Sequence, residues 1–385
     1  MDFALTEEQQ MFHQAAADFC KNEVDPVAIK LEAGHEFPME LTQRMSELGF
    51  MGMVIPEQYG GVGADYLAYL LVEGEIAKSS ISLSMTLGAQ NSLVGLPIMN
   101  FATEEQKQQW LPPLASGEKL GAFALTEPGA GSDPAGMRTT AVKKGDKWVI
   151  NGTKLYITNG AVAKTLIVWA KTGEKADGKP LISAFLVDKD ASPFKVGTVE
   201  DKMGVHASPT TELIFEDCEV PAGNLLGKEG DGFKVALVTL NTGRLSVATQ
   251  SLGLAQAAFE RAKRFAVERE QFGQKISEFQ GVAFRLADMI TEINAAKGLV
   301  WHAVWLKEQF GLSDPRFISM AAQAKLFASE MSERVTSGAI QVHGGYGYMR
   351  EYRVEEFFRA ARLMTIIEGT SEIQRLTISR WELKS

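Results

Sequence analysis

Cysteine is scarce in this sequence, which carries only Cys20 and Cys218 among its 385 residues. The two thiols lie far apart in the chain and show no C-x-x-C spacing, so neither a metal site nor a disulfide framework is indicated. We expect both cysteines to be small buried hydrophobic side chains, and we expect no bound metal.

Long apolar runs and clusters of positive charge are also missing. No stretch of 18 apolar residues occurs, and the opening "MDFALTEEQQ" lacks the basic and apolar regions of a secretion signal. We therefore expect a cytoplasmic protein that does not enter a membrane. The formal net charge of −9 leaves no basic stripe, which argues against a nucleic-acid-binding protein.

The first of three blocks, residues 1–120, has the apolar spacing of helices. In "LTEEQQMFHQAAADFCKNEV" apolar residues recur at helical intervals, and Thr6 is a suitable N-cap. Further along, residues 79–100, "SSISLSMTLGAQNSLVGLPIMN", contain no charged side chain. We predict that this helical segment is buried or lines a pocket.

The second block, residues 121–228, changes to β-type runs such as "KWVING", "TLIVWAKT", "LISAFLVDK" and "TELIFEDCEV". These predict an antiparallel sheet in a small barrel or sandwich. In the third block, residues 229–385, helical spacing returns, and one helix from about Met320 is predicted to stop at Gly344-Gly345. Such long apolar helices predict a four-helix bundle with faces wide enough for an oligomer, within an α+β multidomain fold.

Two turn-rich motifs in the β block could bind a ligand. "GAFALTEPGAGSD", residues 121–133, contains a Gly-Ala-Gly-Ser turn whose backbone N–H groups suit a phosphate or the polar edge of a cofactor ring. "KLYITNG", residues 154–160, alternates an aromatic side chain with hydroxyls. On spacing alone, a surface turn and a hairpin end are alternative interpretations.

Six motifs together resemble one family. "LTEPGAGSD", "KLYITNG", "KMGVHASPTTELIFEDCEVP", "EREQFGQKISEFQ", "QVHGGYGY" and "IIEGTSEIQR" occur in the order and approximate spacing of the acyl-CoA dehydrogenases. The resemblance covers essentially the whole chain and is closest to short-chain and short branched-chain members. It implies an N-terminal helical domain, a middle β-domain and a C-terminal four-helix bundle. It also implies a homotetramer with one FAD per subunit, each flavin site being completed by a neighbouring chain.

The resemblance further implies which residues hold FAD. Tyr156 stands where the family more often has Trp, and it keeps an aromatic face for the flavin. Arg269 would bind the pyrophosphate, which suits a guanidinium, although a solvated helix-face charge would explain Arg269 alone. His343 is expected to be structural. The full predicted set is Phe123, Leu125, Thr126, Gly131, Ser132, Tyr156, Ile157, Thr158, Arg269, Phe272, Gln280, Gln341, Gly344, Gly345, Thr370 and Glu372.

Glu368, in "IIEGTSEIQR", matches the family's catalytic base, which removes a proton from the carbon α to a thioester carbonyl. Shielding the carboxyl from water would raise its basicity. The family then passes hydride from the β carbon to flavin N5, forms a trans-2-enoyl-CoA, and delivers electrons to an electron-transferring flavoprotein. Seen alone, Glu368 would be an exposed glutamate at a helix start. The predicted substrate contacts are Ser132, Asn241, Gly243, Arg244 and Gly369.

The predicted substrate is a neutral acyl-CoA. Residues 79–100, which shape the acyl pocket by family analogy, hold no cation to pair with a second carboxylate. Gly243 stands where isovaleryl-type enzymes carry their base, and His206 resembles some cyclic-acyl relatives, so short straight, branched and cyclic acyl groups stay open. An acyl-CoA oxidase or flavin monooxygenase on the same scaffold is the alternative, and a non-catalytic acyl-CoA-binding protein is a further one.

Overall fold

Helices fill the N-terminal part of the structure, a computed structural model that describes residues 4–383. They are α1 (Glu7–Phe19), α2 (Ala28–Gly34), α3 (Met39–Glu47), α4 (Tyr66–Ser79), α5 (Ile81–Gly88), α6 (Leu96–Phe101) and α7 (Glu104–Ala115). The Thr6 hydroxyl accepts from the N–H of Gln9, and the Gln9 side chain accepts from the N–H of Thr6. This reciprocal cap confirms the predicted start of α1.

The uncharged segment is buried as predicted, but it is not one regular helix. A π-helical turn, Ala89–Gly95, separates α5 from α6. The Gln90 side chain explains the departure, because it donates to the Leu114 carbonyl at 2.7 Å and accepts from the Gly121 N–H at 2.7 Å. These contacts fasten the wide turn to the start of the sheet, at the expense of the regular helical pattern.

One eight-stranded sheet forms the middle of the chain. Its strands are β1 (Gly121–Ala124), β2 (Thr140–Lys144), β3 (Lys147–Thr158), β4 (Thr165–Glu174), β5 (Pro180–Asp188), β6 (Lys195–Val199), β7 (Thr210–Pro221) and β8 (Leu225–Leu226). The order is β6-β7-β3-β2-β4-β5-β8, and β1 pairs with β4. Most pairs are antiparallel as predicted, but β1 and β2 both run parallel to β4. Neither strand is joined to β4 by a hairpin turn. The turn residues in the sequence therefore could not predict these two parallel pairs.

Long helices return after the sheet and surround one central helix. They are α8 (Gly232–Glu268), α9 (Gln280–Phe310), α10 (Pro315–His343), α11 (Val354–Met364) and α12 (Ser371–Glu382), with a small hairpin of β9 (Glu270–Gln271) and β10 (Gln274–Lys275) after α8. α8 packs against α4, α9, α10 and α11, so residues 241–255 are buried without interruption. α10 ends at His343 and Gly344 has a φ of +59°, which confirms the predicted stop.

Both cysteines are buried, as predicted. Burial raises the pKa of the Cys20 thiol to about 12 and that of Cys218 to about 11, so both thiols stay protonated near neutral pH. Among residues 4–383, no helix is long and apolar enough to cross a bilayer, and no cluster of three or more His, Cys, Asp or Glu side chains could hold a metal.

Candidate active site

The segment between α11 and α12 reverses direction through two consecutive left-handed residues. Glu368 has a φ of +53° and Gly369 a φ of +91°. A glutamate in this conformation is uncommon and costs about 1–2 kcal/mol, so it persists only where neighbouring groups fix the backbone. Residues 366–370 are called the base loop below.

Two buried side chains fix the base loop through its carbonyl groups. The Gln374 amide donates to the carbonyl oxygen of Glu368 at 3.0 Å and to that of Gly369 at 2.8 Å. The Lys325 ammonium, on α10, donates to the Gly369 carbonyl at 2.8 Å. Both side chains are completely buried. The reversed backbone is therefore held from the protein interior.

The Glu368 carboxyl lies against α8 at a glycine. A methyl group built on Gly243 would lie 2.5 Å from the Glu368 Oε2 atom and 3.1 Å from Leu93 Cδ2. Only a residue without a side chain leaves room for the carboxyl here. Glu368 as a whole is partly exposed, but its Oε2 atom is buried and accepts no hydrogen bond from the described residues 4–383. That oxygen is available to a proton or a ligand.

Burial and two nearby cations shift the pKa of this carboxyl in opposite directions. Burial raises the pKa of Glu368 to about 7, while Arg244 and Lys325 act to lower it. Burial also lowers the pKa of Arg244 to about 10 and that of Lys325 to about 7. Arg244 is oriented by Asn241, whose Oδ1 atom accepts from Arg244 Nη1 at 2.8 Å. A carboxyl with a pKa near neutrality can both exist as a base and hold a proton strongly.

A buried polar network lies behind Gly243, between α4 and α8. The Tyr66 hydroxyl donates to the Thr242 carbonyl at 3.0 Å. The Glu73 carboxyl accepts from the Ser246 hydroxyl at 2.5 Å, and burial raises the pKa of Glu73 to about 8. Glu73 is therefore mostly protonated at neutral pH. Hydroxyls, the Gln250 amide and a neutral acid make up the side chains of this network.

A second loop, residues 125–132, is braced by a buried ion pair. The Glu127 carboxylate accepts from Lys154 Nζ at 2.8 Å and from the N–H groups of Arg138 and Thr139 at 2.5 and 3.0 Å. Burial alone would raise the pKa of Glu127, but Lys154 and the backbone donors hold it below its ordinary value. Burial lowers the pKa of Lys154 to about 8. Residues 125–132 are called the glycine-rich loop below.

The residues predicted to contact the flavin ring lie on β1, the glycine-rich loop and β3, and a backbone hydrogen bond joins the loop to β3. The Leu155 N–H donates to the Thr126 carbonyl at 2.9 Å. Tyr156 follows with a φ of +58° and is 61% exposed. A methyl group built on Gly131 meets no atom within 4 Å. Of the remaining predicted ring residues, Leu125 and Ile157 are buried, Phe123 and Thr158 are partly buried, and Ser132 is exposed.

A separate cleft gathers three of the residues predicted to hold FAD away from its flavin ring. It measures about 500 Å³ and is lined by Arg269, Gly344 and Gly345 together with Phe265 and Tyr346. The Arg269 guanidinium stacks over the Tyr346 ring at 5.3 Å. Three other residues of the predicted set are close to these in sequence and exposed: Gln341, Gln280 and Phe272. The Phe272 side chain is 95% exposed.

Thr370 and Glu372 lie at the start of α12, beside the base loop. The Thr370 hydroxyl accepts from the N–H of Ile373 as the N-cap of α12. Glu372 is exposed in the first turn. The structure therefore groups these two residues with Glu368. The cleft at Arg269 is formed by other segments.

A third cleft of about 450 Å³ opens at the N-terminus of α8. Asn241 lines it, together with the charged side chains of Lys175, Lys234 and Asp231 and the apolar side chains of Phe233 and Leu312. A cleft with two ammonium groups near its walls suits a phosphate-bearing ligand. Asn241 connects this cleft to Arg244, and hence to the carboxyl of the base loop.

Sequence reasoning missed four side chains that hold these loops: Lys325, Gln374, Glu127 and Lys154. The available signal was a lone cation within an apolar helical run, as in "MAAQAKLFASEM" around Lys325. Charged residues are seldom fully buried without a partner. A lysine on an apolar helix face therefore indicates a buried hydrogen-bonding or charged partner.

All three parts of the chain match one family. Residues 6–118, 122–218 and 230–383 match the models of the N-terminal, middle and C-terminal domains of acyl-CoA dehydrogenase. The chain belongs to the acyl-CoA dehydrogenase family. This confirms the predicted family, the helical–β–helical fold and the enzyme class, an oxidoreductase that acts on acyl-CoA in a family that uses FAD.

Relatives extend over the full length of this acyl-CoA dehydrogenase. The probable acyl-CoA dehydrogenase YngJ of Bacillus subtilis is 50% identical over 384 residues, covering 100% of both chains. A short-chain specific acyl-CoA dehydrogenase of Clostridium acetobutylicum is 45% identical over 98% of this chain and 99% of its own.

Solved structures give the same result. Butyryl-CoA dehydrogenase from Megasphaera elsdenii has a TM-score of 0.96 at 43% identity over 100% of both chains. A chain from a study of the electron transferring flavoprotein of Acidaminococcus fermentans has a TM-score of 0.96 at 47% identity, also over 100% of both. An acyl-CoA dehydrogenase from Bacillus anthracis complexed with FAD has a TM-score of 0.92 at 37% identity, over 99% of this chain and 67% of that one.

Proposed function

We propose that this enzyme dehydrogenates a neutral short-chain acyl-CoA to the trans-2-enoyl-CoA, with Glu368 as the base that removes the α proton. The observation that carries the proposal is the buried, unpartnered Oε2 atom of Glu368, on a carboxyl whose pKa burial raises to about 7. A general base is most effective when its pKa lies near the working pH. Glu73 also has a buried free oxygen and an adjoining glycine, Gly88, but its other oxygen accepts hydrogen bonds from Ser246 and Gln250.

The residues present fit FAD. The cleft at Arg269 offers a guanidinium and an aromatic wall, which suit a diphosphate and an adenine. At the glycine-rich loop, open space around Gly131 and the exposed ring of Tyr156 suit a flat polar ring system. When bound, FAD would accept the hydride equivalent that the β carbon loses. Thr126 and Thr158 would hold its ring edge, and Arg269, Gly344 and Gly345 its diphosphate.

The chain's own part in the reaction is to bind, orient and deprotonate. Within residues 4–383, the Glu368 N–H donates no hydrogen bond, so it is free to donate to the thioester oxygen and stabilise the enolate. Glu368 takes the α proton. Arg244 and Asn241 restrain the approach to the carboxyl from α8, and the cleft that holds Lys175 and Lys234 would receive the phosphates of CoA.

A neutral acyl group is favoured because residues 79–100, which would shape the acyl pocket, hold no cation, and the two cations near the base, Arg244 and Lys325, already act on Glu368. The polar groups that hydrogen-bond one another behind Gly243 are hydroxyls, the Gln250 amide and the protonated Glu73. A second carboxylate on the substrate would be buried without a partner, which costs several kcal/mol. The likeness to a butyryl-CoA dehydrogenase supports a short chain, and branched and cyclic short chains belong to the same proposal.

Assembly and electron transfer complete the proposal. Phe272 at 95% exposure and Tyr348 at 80% form unusually bare aromatic surface near the Arg269 cleft, which supports coverage by further copies in a homotetramer. The likeness to a chain studied with an electron transferring flavoprotein supports such a protein as the oxidant. A cytoplasmic location and domain limits of 1–120, 121–228 and 229–385 stay predictions.

The test is an anaerobic panel of straight, branched, cyclic and dicarboxylic acyl-CoA thioesters, scored by loss of flavin absorbance. Glu368→Gln should keep FAD bound and slow bleaching by butyryl-CoA by a factor of about 10²–10⁴. The exposed Glu118 provides a matched control, and Glu118→Gln should bleach like the parent. Parental bleaching by Glu368→Gln would refute the base. Rapid peroxide formation in air would instead favour an acyl-CoA oxidase.

A further inference from the structure

Lys325 is a buried cation that the proposed reaction does not use. It lies on α10 with no exposed surface, and among residues 4–383 its ammonium donates to one acceptor, the Gly369 carbonyl at 2.8 Å. Burying an ammonium costs several kcal/mol unless nearby charge or hydrogen bonds offset the loss of water. One neutral carbonyl is a weak compensation, and burial accordingly lowers the pKa of Lys325 to about 7, while nearby anions favour its charged form.

The charged groups around Lys325 come from every element that forms the base site. Glu368 of the base loop, Glu330 of α10 and Glu372 of α12 stabilise the ammonium, while Arg244 of α8 opposes it. Glu368 exerts the largest of these electrostatic influences. The influence is mutual, because Lys325 also favours the ionised form of Glu368. The base and the lysine therefore each favour the charged form of the other.

The hydrogen bond alone does not explain a lysine at this position. Gln374, which is neutral and equally buried, already donates to the same Gly369 carbonyl at 2.8 Å and to the Glu368 carbonyl at 3.0 Å. A second neutral donor on α10 would complete the carbonyl's hydrogen bonds without the cost of burying a charge. What the ammonium adds is positive charge, placed one residue from the carboxyl of the base.

We propose that Lys325 is a positioning residue for the catalytic base: it clamps the base loop at Gly369 and, through its charge, keeps the buried Glu368 carboxyl ionised for proton abstraction. The inference rests on the proposed function of Glu368. Lys325 touches the loop and not the substrate, and it acts by setting the geometry and the protonation state of its neighbour.

The experiment compares three variants of the FAD-loaded enzyme. Lys325→Gln and Lys325→Met remove the charge, and Lys325→Gln keeps a neutral donor. Gln374→Leu is the matched control, because it removes a hydrogen bond to the same carbonyl and leaves the charge in place. The first readout is the pH dependence of anaerobic flavin bleaching by butyryl-CoA. The second is infrared titration of the Glu368 carboxyl, with Glu368→Gln as the subtracted reference.

The acid limb of the bleaching profile should move to higher pH by about one unit in both Lys325 variants, because loss of an adjacent cation raises a carboxyl pKa. The infrared titration should move by the same amount. Gln374→Leu should slow bleaching and leave both midpoints unchanged. The inference is overturned if Lys325→Gln binds FAD and titrates like the parent, or if Gln374→Leu moves the midpoints equally.

The infrared measurement needs no substrate, so it separates this inference from the proposed function. A parent enzyme that no acyl-CoA bleaches would end the proposed function, while a shifted carboxyl in Lys325→Gln would still establish the coupling. If Lys325→Met does not fold, Lys325→Gln gives the answer alone.

Discussion

The glycine-rich loop and the base loop are each held by one buried lysine, and the two lysines are used differently. Lys154 donates to the Glu127 carboxylate at 2.8 Å and to the Leu125 carbonyl at 3.1 Å. Lys325 donates to a backbone carbonyl and leaves the nearby Glu368 carboxylate without a hydrogen bond. The Glu127 carboxylate of the first loop therefore accepts hydrogen bonds, and the Glu368 carboxylate of the second accepts none from the described part of the chain.

The pKa values follow from this difference. Lys154 and two backbone N–H groups hold the pKa of Glu127 below its ordinary value, so this carboxylate stays ionised and serves as a brace. Burial without hydrogen bonds raises the pKa of Glu368 to about 7. A fully bonded buried carboxylate stabilises a shape, whereas a buried carboxylate with a free oxygen keeps its capacity to take up a proton.

The comparison predicts its largest effect on stability at Lys154. Lys154→Met leaves the Glu127 carboxylate buried and unpaired, and it should lower the free energy of unfolding by about 3–5 kcal/mol. Chemical denaturation of the FAD-loaded enzyme measures the loss. The double variant Lys154→Met/Glu127→Gln should recover part of it, because no buried charge is then left alone. A loss below about 1 kcal/mol would show that the pair is not a brace.

The next effect concerns the space that the base loop requires. Gly243→Ala would place a methyl group 2.5 Å from the Glu368 Oε2 atom, so the carboxyl must move, and bleaching should slow by about 100-fold. Gly298, in α9, is a matched control because a methyl group there meets no atom within 4 Å. Gly298→Ala should bleach normally and be as stable as the parent or more so. Normal bleaching by Gly243→Ala would show that the carboxyl does not depend on this gap.

The smallest effect is the pH dependence of stability. The folded pKa of Glu368, about 7, lies above the ordinary 4.5, so the folded state binds more protons between these values and loses stability as the pH rises through them. Glu368→Gln removes this loss. The stability of this variant relative to the parent should therefore increase from acid to neutral pH by an amount on the order of 2 kcal/mol. Thermal unfolding of both proteins across that pH range measures the difference. Parallel curves would contradict the burial of the ionised carboxyl.

The sequence could predict what depends on local pattern. The helical and β blocks, the cap at Thr6 and the stop at Gly344 followed from periodicity and turn chemistry, whereas Glu368 was selected by a motif and its role stays a proposal. Lys325 could not be predicted as a partner of Gly369, because the two residues are 44 positions apart and meet only after α10 and α12 pack. The parallel pairing of β1 with β4 and the π-helical turn at Gln90 likewise depend on contacts between distant segments.

The length of α8 has a consequence for where one cofactor molecule can reach. At a rise of about 1.5 Å per residue, Gly243 and Arg269 are separated by roughly 39 Å along a single rod. The Glu368 carboxyl, which lies against Gly243, and the cleft at Arg269 are thus farther apart along one chain than a dinucleotide can span. If the α8 helices of two subunits packed antiparallel, the Arg269 guanidinium of one subunit would approach the Glu368 carboxyl of the other. An FAD bound there would contact both subunits and hold them together.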